Sequence, residues 1–223
     1  MAILLTLLMF LLFISLSYYR SQRREATAAA RAPAKPVARP APVMVREGGF
    51  EIPQGYCFHP GHTWALAEDS QIARVGLDGL AADLVGDIEK IDVGPMYRWV
   101  RQGQKIFTIS HDGYAVDMLS PVEGVVVAAN TNLLRDPKLL ANDPYGEGWV
   151  VAVKAPAIES NLNNLLHGSL VRAWMQQTVE HLKEVAAGAG APVMQDGGLP
   201  VRGLLAQVEA SLRDRLIHEL FLT

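Results

Sequence analysis

The sequence predicts a mainly β domain with flanking helices, set between an N-terminal membrane anchor and a C-terminal helical extension. Three observations predict it. An apolar stretch opens the chain, residues 56–156 read as short strands punctuated by glycine and proline, and beyond Pro156 the apolar spacing becomes helical. The 223 residues, 50% of them hydrophobic, suffice for one core of ordinary size plus appendages. A net charge of −3, with no basic stripe, excludes a nucleic-acid footprint. The single cysteine, Cys57, rules out an internal disulfide framework and suits a reducing compartment.

Ala2 to Tyr19 is apolar apart from Thr6, Ser15 and Ser17, whose hydroxyls can bond back to helix carbonyls. As a helix it spans about 27 Å, just enough for a hydrocarbon core of roughly 30 Å. Tyr18 and Tyr19 sit where an interfacial belt belongs, and Arg20, Arg23 and Arg24 follow at once. A cleaved signal peptide, the alternative with its cut in Ala26–Ala30, would carry charge before the apolar run, and none precedes it. The expectation is a single pass through residues 2–19 in a bacterial inner membrane, N-terminus outside and everything after Arg20 cytoplasmic. Residues 1–24 are thus read as anchor with a basic stop.

Residues 25–49 read as a linker. Pro33, Pro36, Pro40 and Pro42 alternate with alanines and with Arg31, Lys35, Arg39 and Arg46, a composition that favours extended polyproline II. Its basic residues either touch anionic head groups or simply keep the spacer soluble.

Residues 50–170 read as the folded domain. "ARVGLDGLAADLVGDIEKIDVG" holds a strand, a helical turn around Asp78 to Leu84 and a second strand. "WVRQGQKIFTIS" turns at Gly103 before an alternating strand. "ISHDGYAVDMLSPVEGVVV" reads as two strands meeting at Asp112-Gly113, the dipeptide most typical of a tight hairpin turn. Asp136-Pro137 offers a helix start, Asn142-Asp143-Pro144 a turn, and "GWVVAVKAP" a last strand. Leucines and Trp174 then predict a helix from Ile158 to Val185, a break at Ala186 to Gly190, and a second amphipathic helix, marked by Leu204, Val208, Leu212, Leu216 and Leu220, to the C-terminus. Residues 171–223 form the extension.

Four stretches together resemble the glycine cleavage system H protein: "YCFHPGHTWA", "VGLDGLAADLVGDIEKIDV", "GQKIFTIS" and "SPVEGVVVAANTNLLRDPKLLANDPYGEGW". The likeness covers Gly55 to Leu170. It implies a barrel-sandwich hybrid of the lipoyl/biotinyl carrier type, in which a hairpin tip carries a lysine acylated with lipoate. That lysine lies seven residues before the serine of "SPVxG", and counting back from Ser120 lands on Gly113. No lysine occurs between Lys105 and Lys138, and Lys105 stands at the base of the strand, too far from the tip. Ser110, His111, Asp112 and Tyr114 cannot form the amide, whereas Tyr145, Gly146, Gly148 and Trp149 keep the structural signature. The expectation is a retained fold without cargo and without a cofactor.

Cys57, His59 and His62 form C-x-H-x-x-H, a weak metal candidate lacking the usual second pair of ligands; structural packing is the stronger reading. His111 with Asp112 has the makings of a base and its orienter, but a solvated turn offers no tuning. "DGGLPVRG", Asp196 to Gly203, lacks any phosphate-loop context and reads as a loop or docking segment.

The leading expectation is a non-enzymatic scaffold: an accessory subunit beside integral-membrane and cytoplasmic subunits of a larger complex, such as a photosynthetic or respiratory electron-transfer assembly, with no small-molecule substrate. One alternative is a docking or regulatory module for lipoate-handling or glycine-cleavage-type enzymes. The other is a membrane-fusion-type export adaptor, against which no sustained heptad appears.

Overall fold

The computed structural model describes residues 43–47, 49–188 and 202–223, together with Met9. The chain divides into two compact units, Met1–Ala41 and Pro42–Thr223, and every element below belongs to the second. The expected membrane pass at residues 2–19 and most of the 25–49 linker lie outside the described residues. Among the described residues no helix is long and apolar enough to cross a membrane.

Strands β1 (Met44–Glu47) and β2 (Phe50–Pro53) pair as a small antiparallel ribbon, so the last part of the expected linker is a strand. Then come β3 (Cys57–Phe58), β4 (Thr63–Ala67), β5 (Ile72–Leu77), α1 (Gly79–Val85), β6 (Lys90–Asp92) and β7 (Trp99–Val100). They are followed by β8 (Lys105–His111), β9 (Tyr114–Leu119), β10 (Gly124–Ala129), α2 (Thr131–Arg135), α3 (Lys138–Asn142) and β11 (Trp149–Lys154). Six strands form one antiparallel sheet in the order β3-β4-β5-β11-β10-β7; β6, β8 and β9 form a second. The mainly β class with flanking helices is thus observed.

Val75, Val126, Val151 and Val153 of the large sheet and Ile109, Val116 and Met118 of the small one are at most 1% exposed. Alternation explains most of this, since successive strand residues point to opposite faces. A register shift between Lys105 and Phe107 breaks the alternation in β8 and buries Ile106 and Phe107 together. The β8–β9 hairpin closes on the pair His111↔Tyr114. Its two loop residues, Asp112 (φ 43°) and Gly113 (φ 79°), are both left-handed, the geometry that suits the strand twist.

The helical region differs from its sequence reading. One long helix was expected from Ile158 to Val185; instead α4 (Ile158–Asn163) stops and α5 (Ser169–Gly188) begins afresh, crossing the expected boundary at residue 170. Between them Leu166 exchanges both backbone hydrogen bonds with Phe58, each 2.8 Å, which covers the sheet edge at β3. Gly168, at φ 58°, turns the chain into α5. The expected C-terminal helix is likewise two, α6 (Leu204–Gln207) and α7 (Ala210–Phe221), separated where Val208 becomes extended. The leucine spacing runs across both breaks, but burial does not follow it throughout: Leu165, Leu204 and Leu216 are buried, whereas Leu170 is 57% exposed.

These last helices pack on the domain. Leu204, Leu205, Leu216 and Phe221 are buried. Gly203 N–H donates to Asp83 O at 2.7 Å, and Gly86 lies so close that a Cβ there would stand 2.7 Å from Gly203 Cα. Helix α7 lies along β9, with the Arg213 guanidinium carbon 4.9 Å from the centre of the Tyr114 ring.

Two expectations follow. Phe221→Ala empties a fully buried aromatic site and lowers stability by about 3–5 kcal/mol, read by denaturant unfolding. Burial beneath α7 pushes the Tyr114 phenol up to about 12, with Asp112 adding to the rise and Arg213 opposing it. An unfolded tyrosine ionises at its ordinary value of 10.0, so this contribution is complete below about 10 and is lost as pH rises towards 12. Ultraviolet titration should show the parent and Tyr114→Phe forming equal numbers of tyrosinates just above 10, the parent's extra one emerging only as pH approaches 12, and the variant should lose less stability across that window.

Candidate functional site

The hairpin tip is where the family resemblance places chemistry. Asp112 and Gly113 are exposed, while the flanking His111 and Tyr114 are half-buried, so the tip is less open than a solvated turn. A Cβ on Gly113 would meet nothing within 4 Å, so space is not what excludes a side chain there. Lys105 stands at the far end of β8, roughly 20 Å away along the strand, with Nζ 2.6 Å from Asp117 Oδ1. The register of the small sheet shows a closer amine that sequence order hid: Lys90 on β6 lies opposite Ser110. It is an exposed strand residue on the neighbouring strand rather than part of the turn.

His111 does not form the base-and-orienter pair weighed from the sequence. Its Nδ1 is buried with no hydrogen-bond partner among the described residues, and its ring stands perpendicular to Tyr114 at 5.7 Å. The Tyr114 hydroxyl donates to Val85 O at 3.3 Å. These contacts hold the hairpin against α1 and offer no proton-transfer route.

The C-x-H-x-x-H residues are drawn into separate environments. His62, held at φ 64°, places Nδ1 2.7 Å from Asp78 Oδ2, with both side chains buried. Its ring lies 4.7 Å from Trp174 and 5.9 Å from Phe221. His59 Nδ1 accepts from Gly61 N–H at 3.0 Å. Burial, then the neighbouring His62, holds the His59 imidazole below its ordinary range. Cys57 sits half-buried on β3, and burial pushes its thiol up, away from the reactive thiolate. Among the described residues no group of three His, Cys, Asp or Glu is placed to share an ion. Sequence reading singled out His62 but missed its partners: Asp78 was visible as a helix-start residue, whereas Trp174 and Phe221 lie more than 100 positions away.

The family-like turns are built as interlocking backbone contacts. Asp143 Oδ1 and Oδ2 accept from Gly146 and Glu147 N–H, each at 2.9 Å. A Cβ on Gly148 would stand 2.9 Å from Pro144 Cα, so only glycine fits there. The Tyr145 hydroxyl accepts from Gly79 N–H at 3.1 Å, and the Tyr56 hydroxyl donates to Tyr145 O at 2.7 Å. Burial first, then Asp78, pushes the Tyr145 phenol well above its ordinary range. Trp64 Nε1 donates to Leu77 O at 2.8 Å and to Pro144 O at 3.1 Å. In the SPVEG turn, Ser120 Oγ donates to Val122 O at 2.6 Å. Of "DGGLPVRG", residues 196–201 lie outside the described residues. Its end docks on the helix α1 side, where Arg202 faces Asp87 at 3.7 Å.

Comparison with known proteins gives the family. Residues 56–178 match the glycine cleavage H-protein family. The chain is 32% identical over 145 residues to the probable glycine cleavage system H protein 2 of Sulfolobus acidocaldarius, covering 64% of this chain and 92% of that protein. It is 34% identical over 127 residues to the glycine cleavage system H protein of a Cyanothece species, covering 57% and 97% respectively. A crystal structure of the H protein from Mycobacterium marinum aligns with 25% identity and a TM-score of 0.49, over 56% of this chain and 98% of that one. The matched span takes in β3 to β11 and the first half of α5 and leaves out β1, β2, α6 and α7. The chain belongs to the glycine cleavage H-protein family.

Proposed function

We propose that this protein uses the H-protein fold to hold partners together and carries no acyl arm. The observation that supports the reading is the hairpin tip. It pairs an exposed Asp112 with a left-handed Gly113 at the position where the family resemblance calls for an acylatable lysine. Amide formation with lipoate needs a primary amine at the tip, and glycine supplies none. A non-enzymatic role follows from the same absence, with partner contacts rather than a transferred group as the output.

On this reading residues 2–19 anchor the chain in a bacterial inner membrane, and the domain docks beside integral-membrane and cytoplasmic subunits of a larger assembly. An electron-transfer complex is one such assembly. Affinity purification from solubilised membranes is the test: expected are stoichiometric partners and an intact mass free of any dithiolane-bearing adduct. Recovery as a lone monomer, or an acyl adduct on Lys90 or any other residue, would overturn it.

Family membership favours a second reading, docking to glycine-cleavage-type or lipoate-attaching enzymes without carrying cargo. Retention of those enzymes in the same purification, in place of membrane subunits, would select it.

Gly113→Lys tests the tip directly. The left-handed backbone costs about 1 kcal/mol, which lowers the melting temperature by about 2–4 °C. Co-expression with a lipoate-attaching enzyme should then add lipoate to the variant and leave the parent chain bare, both read by intact mass.

A further inference from the structure

We propose that the recess between the β1–β2 ribbon and the start of α5 binds an amphiphilic carboxylate, meaning an apolar chain of moderate length that ends in one carboxylate. The recess encloses about 370 Å³, within the range of small-ligand pockets. Its floor is apolar: Ile52, Phe58 and Val171 are 6%, 0% and 2% exposed. Among the described residues its lining also carries the polar side chains of Gln54, Tyr56 and Ser169, with Arg172 the single charged one and no carboxylate. No ion pair engages Arg172 among the described residues.

Each part of the recess narrows the class of ligand. An apolar hollow that the protein's own side chains do not fill forgoes dispersion contacts, and a hydrocarbon chain restores them while leaving water. A lone guanidinium at the rim, without a protein anion, matches a carboxylate through two parallel hydrogen bonds. A neutral chain would forgo that pairing, and a bare small anion would leave the floor empty.

Gly55 and Gly168 both line the recess with left-handed backbones, φ 84° and 58°, and a Cβ on either would meet nothing within 4 Å. A second hollow of about 250 Å³, lined in part by Leu162 and His167, shares Gly55, Tyr56 and Gly168 with the first. One wall, the β1–β2 ribbon, lies outside the family match, which begins at Tyr56. The recess therefore lies partly outside the residues matched to the family model. It is separate from the hairpin tip and does not depend on the scaffold reading.

Equilibrium dialysis with radiolabelled octanoate tests the proposal, using the full chain in lipid nanodiscs and empty nanodiscs as the blank. Octanoate should bind saturably at one site, with acetate and octanol at least about tenfold weaker. Arg172→Ala should cut octanoate affinity by at least about tenfold, and Arg172→Lys should lose less. Arg172 is exposed, so these changes leave the fold intact, which circular dichroism checks. Val45→Trp, on the partly exposed ribbon wall, should block the chain and weaken octanoate and octanol alike. A diazirine-bearing octanoate should cross-link within residues 45–58 or 168–172. Absence of saturable binding, binding indifferent to both Arg172→Ala and Val45→Trp, or cross-links confined to other segments would overturn the proposal.

Discussion

The buried carboxylate of Asp78 is the junction on which much of the molecule depends. Oδ1 accepts from Ala81 N–H at 2.8 Å and caps α1, while Oδ2 meets His62 Nδ1 at 2.7 Å. Asp78 N–H in turn donates to His62 O at 3.0 Å, so the β3–β4 turn and the end of β5 are tied through both backbone and side chains. A carboxylate withdrawn from water is tolerated only when its oxygens are satisfied, and here both are. This arrangement also explains the left-handed His62, a strained choice for a non-glycine residue that the surrounding bonds hold in place. The C-terminal region completes the junction, since Trp174 and Phe221 seal the imidazole from two sides.

From that junction the rest of the domain is organised. Helix α1 reaches from it to Val85, whose carbonyl receives the Tyr114 hydroxyl, and the hairpin is thereby braced from beneath. Helix α7 then lies over the outer side of the same hairpin. The hairpin is therefore held on two sides by elements of its own chain, and the two residues at its apex are what remains open. A swinging arm needs a displayed amine, and this apex supplies none. The β1–β2 ribbon, outside the residues matched to the family model, lines the recess beside α5.

The strands were legible because burial on one face imposes a period of two, and the turns because Asp-Gly, Asn-Asp-Pro and Ser-Pro carry their own backbone preferences. The shift to helical spacing after Pro156 was legible for the same kind of reason. The breaks within that region were not. Leu166 abandons the helix because Phe58, more than 100 residues earlier, presents an unpaired sheet edge, and no local propensity encodes that demand. The ribbon at Met44–Glu47 was hidden likewise: a strand of four residues among prolines and arginines shows no period until its partner is known.

The candidate site divides along the same line. Sequence alone determined that the tip lacks an amine, because covalent identity at one counted position is a local fact. It also determined the turn, since Asp112-Gly113 suits left-handed backbone in any setting. Only the tertiary structure decided that His59 and His62 face different partners, that Lys90 stands nearer the tip than Lys105, and that Arg172 lines a hollow with Ile52, Phe58 and Val171. Such groupings arise when distant segments are packed together to remove apolar surface from water, and the order of residues along a chain does not record which segments will meet.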